Sequence, residues 1–137
     1  MGRHRRRVTP EMKRARIYGE RNRLLKSLGF DSYDDYLQSD TWKSLRAFVL
    51  KKSPKCLACD SPATQVHHTV YTKRVLEGKS DRGLIATCAG CHYKAEFRQS
   101  DGAKLNPKQA TTKLKQMRTW RAKRRESFAK WFAGEGD

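Results

Sequence analysis

Apolar residues in this chain come in short, separated groups, with no long continuous run. Trp42, Leu45 and Val49 recur at the three- and four-residue steps of a helix. Ser39-Asp40 supplies a cap to start that helix and Ser53-Pro54 a stop, so a helix is expected between them, with these three side chains buried and Phe48 beside them. A first helix is expected from Thr9-Pro10-Glu11, which offers an N-cap, a proline at the first helical position and an early acid, to a stop at Gly29. Residues 1–8 read as a flexible basic arm. Short β segments are expected at 64–68 and 84–87, joined by a polar loop at 69–83 and followed by a helix from about 91 to 99. Asn106-Pro107 opens a last helix reaching about 132. Ala110, Leu114, Met117, Phe128 and Trp131 give it a sparse apolar stripe, which should lay it on the domain with its basic face outward. There is no internal repeat.

Composition adds three constraints. A chain of 137 residues allows one domain with appended arms, here a basic arm and helix at 1–29, a core at 30–100 and a basic helix at 101–137. With 36% hydrophobic and 33% charged residues, a structural metal would help hold the centre together. The net charge of +17 favours a polyanionic partner, of which nucleic acid is the usual one. Residues 1–28 carry ten Lys or Arg against two Glu, and residues 107–132 carry nine against one. Asp31, Asp34, Asp35 and Asp40 form the one acidic patch. An anionic membrane surface is the weaker alternative, because the aromatic residues do not lie on one clean amphipathic helix. No stretch is apolar enough to span a bilayer, no h-region follows the basic start, and Arg7 spoils a myristoylation motif at Gly2. A reducing cytoplasm is therefore expected, where four cysteines read better as metal ligands than as disulfides.

Those cysteines form Cys56-x-x-Cys59 and Cys88-x-x-Cys91, with 28 residues between the pairs. Two such knuckles can give four thiolates to one tetrahedral Zn²⁺, in a closed site that is structural because no position is left open. His67 and His68 lie between the knuckles, and His92 follows the second. Neighbouring residues on a strand face opposite ways, so the two adjacent histidines should do different jobs. His92 and Glu96 share a helix face and can converge on one ion. One strand histidine plus these two would leave coordination positions open for water and phosphate, the layout of a catalytic metal. The plain alternative is that His67 and His92 are spare zinc ligands or surface histidines.

From Tyr36 to Phe97 the chain resembles the four-cysteine branch of the HNH endonucleases. The resemblance rests on Tyr36-Leu37-x-Ser39-x-x-Trp42-x-x-Leu45-Arg46 and Cys56-x-x-Cys59. It continues through Val66-His67-His68-Thr69-x-Tyr71 and Leu84-Ile85-Ala86-Thr87-Cys88-x-x-Cys91-His92-x-x-x-Glu96. It implies an α+β fold with a small ββα-metal core and a Cys₄ zinc site, flanked by the basic N- and C-terminal helices. It also implies roles: His67 and His92 as metal ligands, His68 as general base, and Glu96 where relatives often carry a second helix ligand. A carboxylate there favours Mg²⁺ or Mn²⁺. The family's central Asn is replaced by Gly83, and Asp81, two residues earlier, is a candidate substitute. Lys73 and Arg74, in the loop after the histidines, are either phosphate-holding groups of the catalytic site or solvated loop charges.

The resemblance implies hydrolysis of DNA phosphodiesters, contacted mainly through the backbone, giving 5′-phosphate and 3′-hydroxyl ends. A monomer would nick; a dimer or two successive events would cut both strands. Compact basic proteins of this kind resemble phage-encoded or bacterial HNH nucleases, which implies a bacterial cytoplasm and other DNA-processing proteins as partners. The competing reading is a non-catalytic, zinc-braced nucleic-acid-binding protein, separated from a nuclease only by His67, His68, His92 and Glu96. A c-type haem protein is suggested by Cys88-x-x-Cys91-His92, but lacks an export signal and would leave the other cysteine pair unexplained. A zinc deaminase would need an H-x-E and a proline before the second cysteine pair, and neither is present.

Overall fold

A computed structural model describes residues 6–134; residues 1–5 of the expected basic arm lie outside the described residues. The elements run α1 (Pro10–Ser27), α2 (Tyr33–Gln38), α3 (Asp40–Lys52), β1 (Gln65–His68), α4 (Lys73–Leu76), β2 (Leu84–Thr87), α5 (Ala89–Glu96) and α6 (Pro107–Phe132). The fold is α+β, built on one antiparallel hairpin in which Gln65 pairs Thr87, Val66 pairs Ala86, His67 pairs Ile85 and His68 pairs Leu84.

Caps set the helix starts. The Thr9 hydroxyl accepts from Met12 N, Ser39 from Trp42 N, and Asn106 and Gln109 form a reciprocal capping box on α6. Two apolar clusters flank the hairpin. One gathers Leu25 of α1, Tyr36 of α2, Trp42, Leu45 and Val49 of α3, Val66, Ala86, and Val75 and Leu76 of α4. The other gathers Cys56, Ala58, Cys91, Ala95, Ala110 and Leu114, so α5 and the first half of α6 close around the cysteines.

Four expectations change. The 69–83 segment is not simply a polar loop: it contains α4, and Val75 and Leu76 are fully buried. Phe48 is 56% exposed, because it lies roughly a quarter turn from the direction shared by Trp42, Leu45 and Val49 on a helix of 3.6 residues per turn. The helix after the second knuckle starts earlier, at Ala89, with Cys88 as its cap, and ends at Glu96. Only the first half of the α6 stripe packs: Ala110 and Leu114 are buried, whereas Phe128 and Trp131 are 64% and 68% exposed. The domain surface has ended by the time α6 reaches them.

Gly83 occupies the turn into β2 with φ +82, a conformation a side chain rarely adopts. A Cβ there would also lie 3.3 Å from Val70 Cγ2. Its carbonyl accepts from Thr69 N at 2.8 Å and closes the hairpin. Asp81, the candidate substitute for the missing Asn, pairs with Lys52 at 3.1 Å.

Candidate metal centre and histidine cavity

The first knuckle is a tight turn fastened by Cys56 N to Ser61 O (2.7 Å) and Asp60 N to Cys56 O (2.9 Å), with Asp60 at φ +61. Leu57 N donates to Ala86 O at 3.0 Å, which pins this turn to β2. The second knuckle is the start of α5, where Cys88 Sγ accepts from Cys91 N at 3.4 Å. The four Sγ atoms lie within 4.8 Å of one another, and Cys59 and Cys88 approach to 3.7 Å. All four cysteines are free. Four sulfurs meeting at one point from two knuckles can hold a metal ion such as zinc.

Electrostatics agree with that donor set. Burial and the neighbouring sulfurs push the Cys91 thiol up. Burial also acts to raise Cys59, but hydrogen bonds from Ser61 outweigh it and hold this thiol down to about 6. Uncompensated, such a cluster carries only part of its negative charge; a divalent cation allows four thiolates together.

The two adjacent histidines face opposite ways, as their strand position requires. His67 turns toward α5 and α6. Its Nε2 lies 3.0 Å from Thr111 Oγ1, and its ring is 5.5 Å from that of His92. His68 turns into the aromatic cluster. It stacks on Trp42 (4.6 Å between ring centres) and Tyr71 (5.0 Å), with Nε2 3.3 Å from the Tyr36 hydroxyl. Both are buried, at 5% and 4% exposure. Burial, then the neighbouring His92, lowers His67 to about 4; burial, then His67 and Arg21, lowers His68 to about 3.

His92 and Glu96 meet one turn apart on α5, with Nε2 and Oε1 separated by 3.1 Å. His92 Nδ1 lies 2.6 Å from Gln65 Oε1, an acceptor that places the ring proton on Nδ1. The hydrogen bond with His92, and then the charges of His92 and Lys104 working against burial, hold the Glu96 carboxyl below its usual range. Two acceptors at that distance need a proton or a cation between them. His67, the expected third ligand, is engaged with Thr111. Among the described residues, the cysteines are the one group of three or more His, Cys, Asp or Glu whose ligand atoms all converge.

A cavity of about 60 Å³ brings these groups together: His67, His68, His92 and Glu96 line it with Tyr18, Tyr33 and Tyr71. Lys73 and Arg74 do not line it. Both are exposed on α4, and Lys73 Nζ lies 3.8 Å from Glu77 Oε1. Sequence reasoning missed Gln65, Thr111, Tyr18 and Tyr33. Gln65 carried a usable signal, being two residues from His67 and hence on the same strand face; Thr111, on α6, carried none.

Fold and cluster define a small α+β protein with a four-cysteine site able to hold a metal such as zinc. Among the described residues no helix is long and apolar enough to cross a membrane. Comparison with protein-family models, with characterised proteins and with solved structures finds no match to this chain.

Proposed function

We propose that this chain is a metal-dependent endonuclease of the HNH type, with a structural zinc in the four cysteines and a ββα-metal site formed by β1, β2 and α5. The observation that carries the reading is the His92–Glu96 pair. It is opposed at 3.1 Å, locked by Gln65 from behind, and opens on a cavity shared with His67 and His68. A metal-binding histidine characteristically donates its other ring N–H to a carbonyl in this way.

His92 and Glu96 would hold a divalent ion, Mg²⁺ or Mn²⁺, with His67 beside them. When bound, such an ion supplies stabilisation of charge on the phosphate and the departing 3′ oxygen. His68 is the general base. Burial keeps it unprotonated at neutral pH, and the negative charge of a bound phosphate would raise its basicity toward the neutral range where a general base works best. In the tautomer that donates Nε2–H to Tyr36, Nδ1 keeps its lone pair and takes the proton of the attacking water. The water oxygen bonds to phosphorus, the P–O3′ bond breaks, and the products are a 5′-phosphate and a 3′-hydroxyl. Trp42 and Tyr71 hold the imidazole plane throughout.

Supercoiled plasmid incubated with Mg²⁺ or Mn²⁺ tests this. The parent should yield nicked circles that vanish without added metal. His68→Ala should slow nicking by roughly 10²- to 10⁴-fold, the range of general-base catalysis, while its circular dichroism stays that of the parent. Parent-like cleavage by His68→Ala would remove the base assignment. The second reading, a non-catalytic nucleic-acid-binding protein, draws on Gly83 in the family's Asn position and on His67 Nε2 being engaged by Thr111. No nicking by the parent in any metal, with DNA binding retained, would select it.

A further inference from the structure

Basic side chains pack against the tyrosines that line the histidine cavity, whose one lining carboxylate is Glu96. The tyrosines are Tyr18 from α1, Tyr33 from α2 and Tyr71 from the segment after β1. The Arg21 guanidinium carbon lies 3.8 Å from the Tyr33 ring centre, 4.7 Å from Tyr18 and 5.2 Å from Tyr71. Lys104 Nζ sits 5.3 Å from the centre of Tyr18. Arg14 Nη1 donates to the Lys104 carbonyl at 2.6 Å, fastening the segment that carries Lys104 to α1.

Some basic side chains of the protein find acids. Lys52 takes Asp81, Lys73 and Lys79 take Glu77, and Arg118 and Arg125 take Asp60. Among the described residues Arg14, Arg21 and Lys104 have no carboxylate within 4.0 Å, although Glu96 lines the same cavity. Arg21 Nε donates to Asn22 Oδ1 at 3.2 Å and the guanidinium also donates to the Tyr71 hydroxyl, so part of its donor set remains for a ligand. A guanidinium held among aromatic rings is restrained in position, and its remaining N–H donors are matched to phosphate oxygens. Arg14, Tyr18 and Arg21 stand at i, i+4 and i+7, so one face of α1 delivers all three.

We propose that Arg21, supported by Lys104 and Arg14, forms a phosphate-binding subsite on the tyrosines that wall the histidine cavity. It rests on the nuclease reading for the identity of its ligand, a nucleic-acid phosphodiester. It gives α1 a task beyond general affinity: seating the backbone so that one phosphate enters beside His92 and Glu96. Arg21, and not Lys73 or Arg74, is then the group that grips the substrate.

The test uses the full-length, zinc-replete protein and a fluorescein-labelled 12-base-pair DNA duplex without added divalent metal. Affinity is read by anisotropy for the parent, Arg21→Gln, Arg21→Lys and Lys51→Ala. Lys51→Ala removes one exposed charge on α3 and serves as the measure of non-specific loss. Arg21→Gln keeps the aliphatic stem over the tyrosines and should weaken binding at least tenfold, against less than threefold for Lys51→Ala, with Arg21→Lys recovering part. Equal losses in Arg21→Gln and Lys51→Ala would overturn the subsite. The same proteins are then assayed for plasmid nicking in Mn²⁺. A parent that binds with this Arg21 dependence but never nicks leaves the subsite standing and removes the nuclease reading. A parent that nicks while Arg21→Gln both binds and nicks like Lys51→Ala removes the subsite alone.

Discussion

At the scale of single residues, the histidine pair separates two kinds of information. That His67 and His68 face opposite ways follows from strand geometry and was legible in the sequence. What each meets there depends on α6 and α3, far along the chain, and was not. His68 gives a pH prediction. Its folded-state value of about 3 lies below the ordinary histidine value, so the unfolded chain takes the proton first. Stability should be level above about pH 6.5 and fall as pH drops toward 3, by about 1.4 kcal/mol per pH unit from this residue. Urea midpoints measured from pH 7 to 4 should show the fall, and His68→Phe should make it shallower by one proton. Gln65 gives a second prediction. Gln65→Ala frees His92 Nδ1, and the Mn²⁺ concentration needed for half-maximal nicking should rise roughly 10- to 100-fold, as expected for loss of a ligand's supporting hydrogen bond.

At the scale of elements, β1, β2, α1, α3 and α6 were each readable because a cap or a period marks them. The six-residue α2 and four-residue α4 were not: neither is long enough to show a helical period. Their caps, Ser32 and Thr72, were the only local signs. The boundary at residue 29 describes the charge distribution, yet α1 contributes Leu25 to the first cluster and α6 contributes Leu114 to the second. Both are essentially fully buried. Leu25→Ala and Leu114→Ala should therefore each cost about 2 to 5 kcal/mol in urea denaturation, the usual range for a truncated core leucine. A loss under about 0.5 kcal/mol, typical of surface positions, would show that these helices are appendages.

At the scale of the whole molecule, the cysteine pairs were the most legible feature, since their spacing alone brings four sulfurs to one point. Elemental analysis should find one zinc per chain, lost in Cys88→Ser, and chelation should lower the melting temperature of the parent. The charge of +17 was equally plain, but its arrangement was not: Arg118 and Arg125 are spent on Asp60, whereas Arg21 and Lys104 pack on the tyrosines that wall the cavity. The bond between α6 and the first knuckle has a mechanical consequence. Asp60 is the next residue after Cys59, and through Arg118 and Arg125 it steers a helix of 26 residues, about 39 Å at 1.5 Å per residue. The knuckle thus touches the middle of a helix whose far end carries Phe128, Trp131 and Phe132 in solvent. Removing the metal that the four cysteines can hold should loosen this contact, and small-angle scattering should record the release as a larger maximum dimension.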